Sequence, residues 1–135
     1  MIGLPSLEQL DRSAGWGVTR IWLATAPADM RCGFDRLADL ARTVTEQDPM
    51  SGHLFLFRSR GGDRLKVLYW DRDGYALWYK RLEVGVFKLP RAVGDAKSVE
   101  LRASELAMLL DGIDLRSVKR VARYQQKKCA PAGTV

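Results

Sequence analysis

One histidine, His53, and two distant cysteines, Cys32 and Cys129, leave this chain of 135 residues poor in the side chains that do most acid–base, nucleophilic and metal chemistry. Neither cysteine belongs to a CxxC pair or a Cys/His cluster, so the pattern offers no zinc motif, and both read as free thiols of a reducing compartment. No stretch approaches the ~20 apolar residues needed to span a bilayer, and the N-terminal MIGLPSLEQLDRSAG lacks a basic segment followed by an apolar run. A cytoplasmic protein with no membrane partner is therefore expected. The Gly61-Gly62-Asp63 turn lacks the spacing of a phosphate loop, and no helix follows it to present its N-terminus. There is no nucleophile elbow, no helix-turn-helix signature, no internal repeat and no low-complexity linker. The sequence implies no enzyme activity, no cofactor and no metal centre.

Cationic charge is abundant and uneven. The formal net charge is +6 and the isoelectric point is about 9.6. Residues 1–50 hold five Lys/Arg against seven Asp/Glu, residues 51–91 nine against four, and residues 92–135 eight against five. The excess thus belongs to the middle and the end of the chain. Localised positive charge disposes a surface toward polyanions, because each neutralised phosphate releases condensed counterions. The competing reading of the same charges is a solvated face with no partner.

The middle of the chain also carries the sheet. The runs LFLF, LKVLYW and YALWY suit a pleated, half-buried surface, and Gly61-Gly62-Asp63 and Asp71-Arg72-Asp73-Gly74 have turn chemistry, so three antiparallel strands joined by hairpins are predicted. Alternation places Leu65, Val67 and Tyr69 on one face and Lys66, Leu68 and Trp70 on the other. Thr19–Ala24 reads as an earlier strand stopped by Pro27. From Asp29, an expected N-cap, to Glu46 the period becomes helical, with Met30, Phe34, Leu37, Leu40, Ala41 and Val44 on one stripe. Gly33 within that run signals close packing or a boundary. Val84–Lys88 is expected to add a short strand, and RAVGDAK to form a loop. Ser98–Leu101 is expected to return as a strand and Ala103–Asp111 as a helix stopped by Gly112. Arg102 stands where a serine or threonine cap is expected, with Ser104 as a shifted alternative.

The predicted organisation is an N-terminal extension (1–18), one α+β domain (19–114) and a basic tail (115–135), the domain being large enough to bury a core without staples. The tail LRSVKRVARYQQKKCAPAGTV has six Lys/Arg and no acid, the composition of a frayed helix or disordered tail able to fold on an anionic partner.

Several blocks in order carry a resemblance. They are Met30-Arg31-Cys32-Gly33-Phe34-Asp35, Asp48-Pro49, Ser51-Gly52-His53-Leu54-Phe55, Lys66-Val67-Leu68, Tyr69-Trp70-Asp71, Asp73-Gly74 and Tyr79-Lys80-Arg81-Leu82-Glu83, followed by Gly85, Phe87, Pro90 and Gly112-Ile113-Asp114. From about Arg20 to Asp114 the chain resembles the small TnpB or Orf2-like accessory proteins of bacterial insertion sequences of the IS66 type, which are unrelated to the RNA-guided nucleases also called TnpB. The resemblance implies a role in transposition beside a separate, larger transposase that holds the catalytic carboxylates. It brings no assigned functional residues.

Contact residues follow from charge and spacing instead. Arg58, Arg60, Arg64, Lys66, Lys80 and Arg81 are expected near a rim that holds DNA phosphates. Trp70, Trp78 and Tyr79 are candidates for base stacking or partner contact, and Lys119, Arg120, Arg123, Lys127 and Lys128 for tail contacts. The bland reading of each aromatic is a core or interface residue. His53 at a strand start is more often structural than a base. Asp71 and Asp73, with Asp63 or Asp29, would be the carboxylates of a metal-dependent nuclease, although hairpin turns favour aspartate for backbone reasons. Two functions stand: a helper that binds the element's terminal DNA, and an adaptor that recruits the transposase through the aromatic face. An exposed strand edge would also permit a homodimer.

Overall fold

The aromatic and aliphatic runs fold as one five-stranded sheet within residues 19–112, the part of the chain that the computed structural model describes. The elements in chain order are β1 (Ile21–Ala24), α1 (Phe34–Thr45), β2 (Leu54–Arg58), β3 (Arg64–Asp71), β4 (Gly74–Arg81), β5 (Ser98–Leu101) and α2 (Ala103–Leu110). Strand order is β4-β3-β2-β1-β5. The hairpins β2–β3 and β3–β4 form the expected meander, in registers that pair Leu56 with Val67 and Val67 with Trp78. β1 lies parallel to β2, with Trp22 opposite Phe55, and antiparallel to β5. Adjacent parallel strands need a crossover, and α1 supplies it. The α+β class and the predicted face alternation of β3 both hold.

Both faces are covered, which explains why Leu54, Phe55, Leu56 and Phe57 are all buried in a strand with no polar alternation. On one face α1 sets Leu37, Ala38 and Ala41 against Phe55, Phe57 and Leu68. On the other, Leu106 and Leu109 of α2, with Phe87 and Leu89, cover Ile21, Leu23, Leu54, Leu56, Leu65 and Val67. The stretch Val84–Lys88 is therefore not the expected strand. Gly85 takes a left-handed φ of 84° that interrupts extension, and the Phe87 N–H donates to the Gly62 carbonyl at 2.8 Å, turning the chain inward.

α1 begins four residues later than its apolar period suggests, with Gly33 and not Asp29 at the N-cap position. Asp29 does not cap it: the Asp29 carboxylate accepts the Arg31 N–H at 2.9 Å, and the Asp29 carbonyl accepts the Cys32 N–H at 3.0 Å. This local turn competes with the helix for residues 29–32. Gly33, extended and with open space where a Cβ would lie, is the boundary and not a close-packing point. Phe34, expected on the buried stripe, is 47% exposed. α2 starts at Ala103 behind Arg102, whose N–H is accepted by Glu105 Oε1 at 2.9 Å. That contact is half of a capping box and replaces the missing hydroxyl cap; Ser104 lies inside the helix.

Two polar contacts join these layers. Lys66, only 6% exposed, extends its ammonium over the Tyr79 ring and donates to the carbonyls of Met30 at 2.6 Å and Cys32 at 3.0 Å. His53 Nδ1 accepts the Arg20 N–H at 3.0 Å, fixing the start of β2 against the approach to β1. Burial first, and the Arg20 charge second, hold the imidazole below its ordinary 6.5.

Replacing Lys66 by methionine keeps the apolar stem and strips the donor from two carbonyls. Chemical denaturation should show a loss of about 1–3 kcal/mol, and an unchanged midpoint would contradict the tie. The depressed His53 pKa means that the unfolded chain binds a proton more readily than the folded one, so stability falls as pH drops below 6.5 toward the folded value. His53→Asn keeps an acceptor without the titration. Its melting temperature should decline less between about pH 7 and 5, and an equal decline would assign the acid sensitivity elsewhere.

Candidate nucleic-acid interface

Because β1 and β2 run parallel, their carboxyl ends lie side by side and the following loops leave the same end of the sheet. Open α/β sheets bind ligands in the crevice outside such ends. Here that crevice is a cleft of about 570 Å³ between Pro27–Arg31 on one side and Ser59–Arg60, Gly61, Asp63 and Arg64 on the other. The Ala28 N–H donates to the Arg58 carbonyl at 2.9 Å and holds the two loops together at its base.

Each wall is ordered by its own side chains. Buried Ser59 accepts the Gly62 and Arg64 N–H groups at 3.2 and 3.1 Å and donates to Asp63 Oδ1 at 3.2 Å. This turn presents Arg60 at its tip and Arg64 at its exit. Opposite, Asp29 holds the Arg31 guanidinium through contacts of 2.8–3.3 Å, and those hydrogen bonds hold the Asp29 carboxyl well below the usual carboxylate range. The Arg31 side chain nevertheless remains 91% exposed. Both cleft aspartates are thus engaged with their own walls.

Three arginines face this opening. Arg60 and Arg64 have no ion-pair partner among the described residues. Arg64 lies directly across from Arg81 in the β3–β4 register, an arrangement of like charges that costs stability unless an anion sits nearby. Glu83, tied to Arg81 at 3.2 Å on an exposed surface, offsets only part of that repulsion, because exposed ion pairs contribute little. The opposite face of the same sheet end holds a second cleft of about 320 Å³, lined by Arg58 and Arg91.

The structure divides the predicted contacts. Arg60 and Arg64 join in the main cleft and Arg81 extends its rim. Lys80 is exposed but opposes Leu65 and projects from the other face. Arg58 donates to the Thr25 carbonyl at 2.9 Å and braces β1 against β2. Lys66 requires correction: its ammonium is buried against two carbonyls and cannot line an open rim. Among the aromatics, Trp78 packs on the α2-side core, Trp70 meets Tyr75 edge to face at 5.0 Å, and Tyr79, 46% exposed, presents a ring to solvent. They do not form one stacking platform. Lys119, Arg120, Arg123, Lys127 and Lys128 lie outside the described residues, as do the 1–18 extension and Cys129.

Arg31 and Arg91 escaped the charge-based reading. Arg31 lies in the run whose apolar period predicts a helix and Arg91 in the predicted RAVGDAK loop, and neither position carries a charge-cluster signal of its own. The acidic candidates do not converge. Asp71 and Asp73 sit at the β3–β4 turn and Asp63 precedes the far end of β3, so the length of that strand separates them. Among the described residues no group of three His, Cys, Asp or Glu side chains could hold a metal ion, and no helix is long and apolar enough to cross a membrane.

A family model described as IS66 Orf2 like protein matches residues 19–120. The chain is 44% identical over 97 residues to the uncharacterized protein y4hO of Sinorhizobium fredii, covering 72% of this chain and 83% of that one. It is 38% identical over 101 residues to y4jC of the same organism, covering 75% and 85%. No solved structure matches. The match spans the whole sheet, both helices and both walls of the cleft, and the chain belongs to the IS66 Orf2-like family of insertion-sequence accessory proteins.

Proposed function

We propose that this accessory protein serves transposition in the cytoplasm as a non-catalytic, DNA-associated helper of a separately encoded transposase. Its arginine cleft holds backbone phosphates of the element's terminal DNA. The observation that carries this reading is the pair Arg60 and Arg64, free of ion pairs among the described residues and beside Arg31 and Arg81 at one end of the sheet. A phosphate there would offset the Arg64–Arg81 repulsion and accept the planar donor forks that suit arginine. The basic tail adds sequence-independent attraction for the same polyanion. Tyr79 offers a ring to an unpaired base.

A second reading rests on apolar surface. Val84 and Val93 are 89% and 83% exposed in the loops between β4 and β5, which suits an adaptor that touches the transposase. Trp78, the natural residue to mutate for an aromatic-face adaptor, is partly buried in the core, so its removal would weaken the fold as well as any complex.

Fluorescence anisotropy with terminal duplex across a salt series tests the first reading. The Arg60→Ala, Arg64→Ala double variant removes no partner from an acid and should stay folded. It should bind at least tenfold more weakly and lower the salt slope by about 1.8, roughly 0.9 per lost phosphate contact. An unchanged affinity and slope would remove the cleft from DNA binding. Wild-type protein that ignores DNA at low salt would favour the adaptor, and capture of the purified transposase would then decide it.

A further inference from the structure

We propose that β4 is a self-pairing edge, through which two copies join antiparallel about a two-fold axis at Leu77 and fuse their sheets into one. Strand order leaves β4 at the end of the sheet, paired only with β3. It is eight residues long, against four in β5 at the other edge. Alternate residues of an edge strand turn their N–H and C=O groups away from the sheet, and no other described segment hydrogen-bonds to the β4 backbone.

Native proteins defend such an edge with proline, a bulge, an inward charge or brevity. β4, GYALWYKR, uses none of these, and the lysine that also defends edges stands only at position 80, leaving residues 74–79 open. Its pairing with β3 runs unbroken from Asp71↔Gly74 to Arg64↔Arg81, and its only charges are the last two residues. Between them Tyr75, Ala76, Leu77 and Trp78 are half-buried and apolar, and Tyr79 is exposed. Another strand added here would cover apolar side chains on both faces.

Symmetry and charge choose the occupant and the register. In an isologous antiparallel pair one residue must face its own copy, because side chains opposite each other lie on the same face. Centring on Leu77 sets Ala76 against Trp78, Tyr75 against Tyr79, Gly74 against Lys80 and Asp73 against Arg81. Small meets large, ring meets ring, and acid meets base at both ends. Centring on Trp78 would instead oppose Asp73 and Glu83, and centring on Ala76 would oppose Arg72 and Lys80. In the Leu77 register the incoming Asp73 also offsets the repulsion that Arg81 meets from Arg64 on its other side.

One edge pairing covers little area on the scale of stable interfaces, so dissociation in the micromolar range is expected. Sedimentation velocity of the full chain without DNA, over a concentration series, reads this directly. Wild-type protein should pass from monomer to dimer. Asp73→Arg and Arg81→Asp each create two like-charge pairs and should weaken self-association about tenfold; the double variant should restore it. Both positions of the test are exposed turn or strand-end sites, and matching circular dichroism melts exclude misfolding. A monomer at every concentration, or a dimer indifferent to the swaps, overturns the proposal.

Discussion

The Lys66 ammonium, buried between the sheet and the start of α1, is the contact on which the candidate site depends. Residues 25–33 have no ladder of their own, so their backbone groups must find partners elsewhere. The carbonyls of Met30 and Cys32 find the Lys66 amine. Once they are held, Asp29 and Arg31 stand across from the β2–β3 turn and α1 starts at Phe34. No carboxylate pairs with Lys66 among the described residues, and the Tyr79 ring takes the remaining side of the charge. A charge desolvated in this way is costly unless its donors are used, and a substitution that removes them releases the loop as well as the energy.

Topology supplies the second constraint. A pure meander would send every loop to alternate ends of the sheet. Inserting β1 parallel to β2 through α1 sends two loops to one end, and that end collects Arg31, Arg60, Arg64 and Arg81. Cationic focusing in a cleft raises the local concentration of a polyanion more than the same charges spread over a convex surface. The net charge therefore says less about function than the parallel pair does.

Much of the fold was legible because it is written in short-range chemistry. Asp71-Arg72-Asp73-Gly74 fixes the β3–β4 register, and the alternation that follows assigns Leu65 and Val67 to one face. Leu37 and Ala41 mark the buried stripe of α1. What the pattern concealed is long-range. Period-two alternation says which face Lys66 occupies but not that the face is covered there, so a buried tie looked like a rim cation. The start of α1 was obscured because Met30 packs in the core from a turn, at a spacing that also suits a helix. The position of β1 between β2 and β5, and with it the meeting of Arg31 with Arg60 and Arg64, rests on pairings as distant in sequence as Ile21 with Leu54 and Ile21 with Leu101. No local signal reports such a meeting.

Under the proposed function this small protein contributes binding geometry, while the catalytic carboxylates that the family resemblance implies belong to the larger transposase. The described surface fits that division, with arginines gathered at one sheet end and aspartates scattered or engaged with neighbouring side chains. The most direct measurement is amide chemical-shift mapping of the isotopically labelled protein during titration with terminal duplex at moderate salt. Shifts concentrated at residues 27–31, 59–64 and 81, with little change in β5 and α2, are the expected result. Shifts centred on the α2 face, or none in the presence of saturating duplex, would contradict the assignment of the cleft.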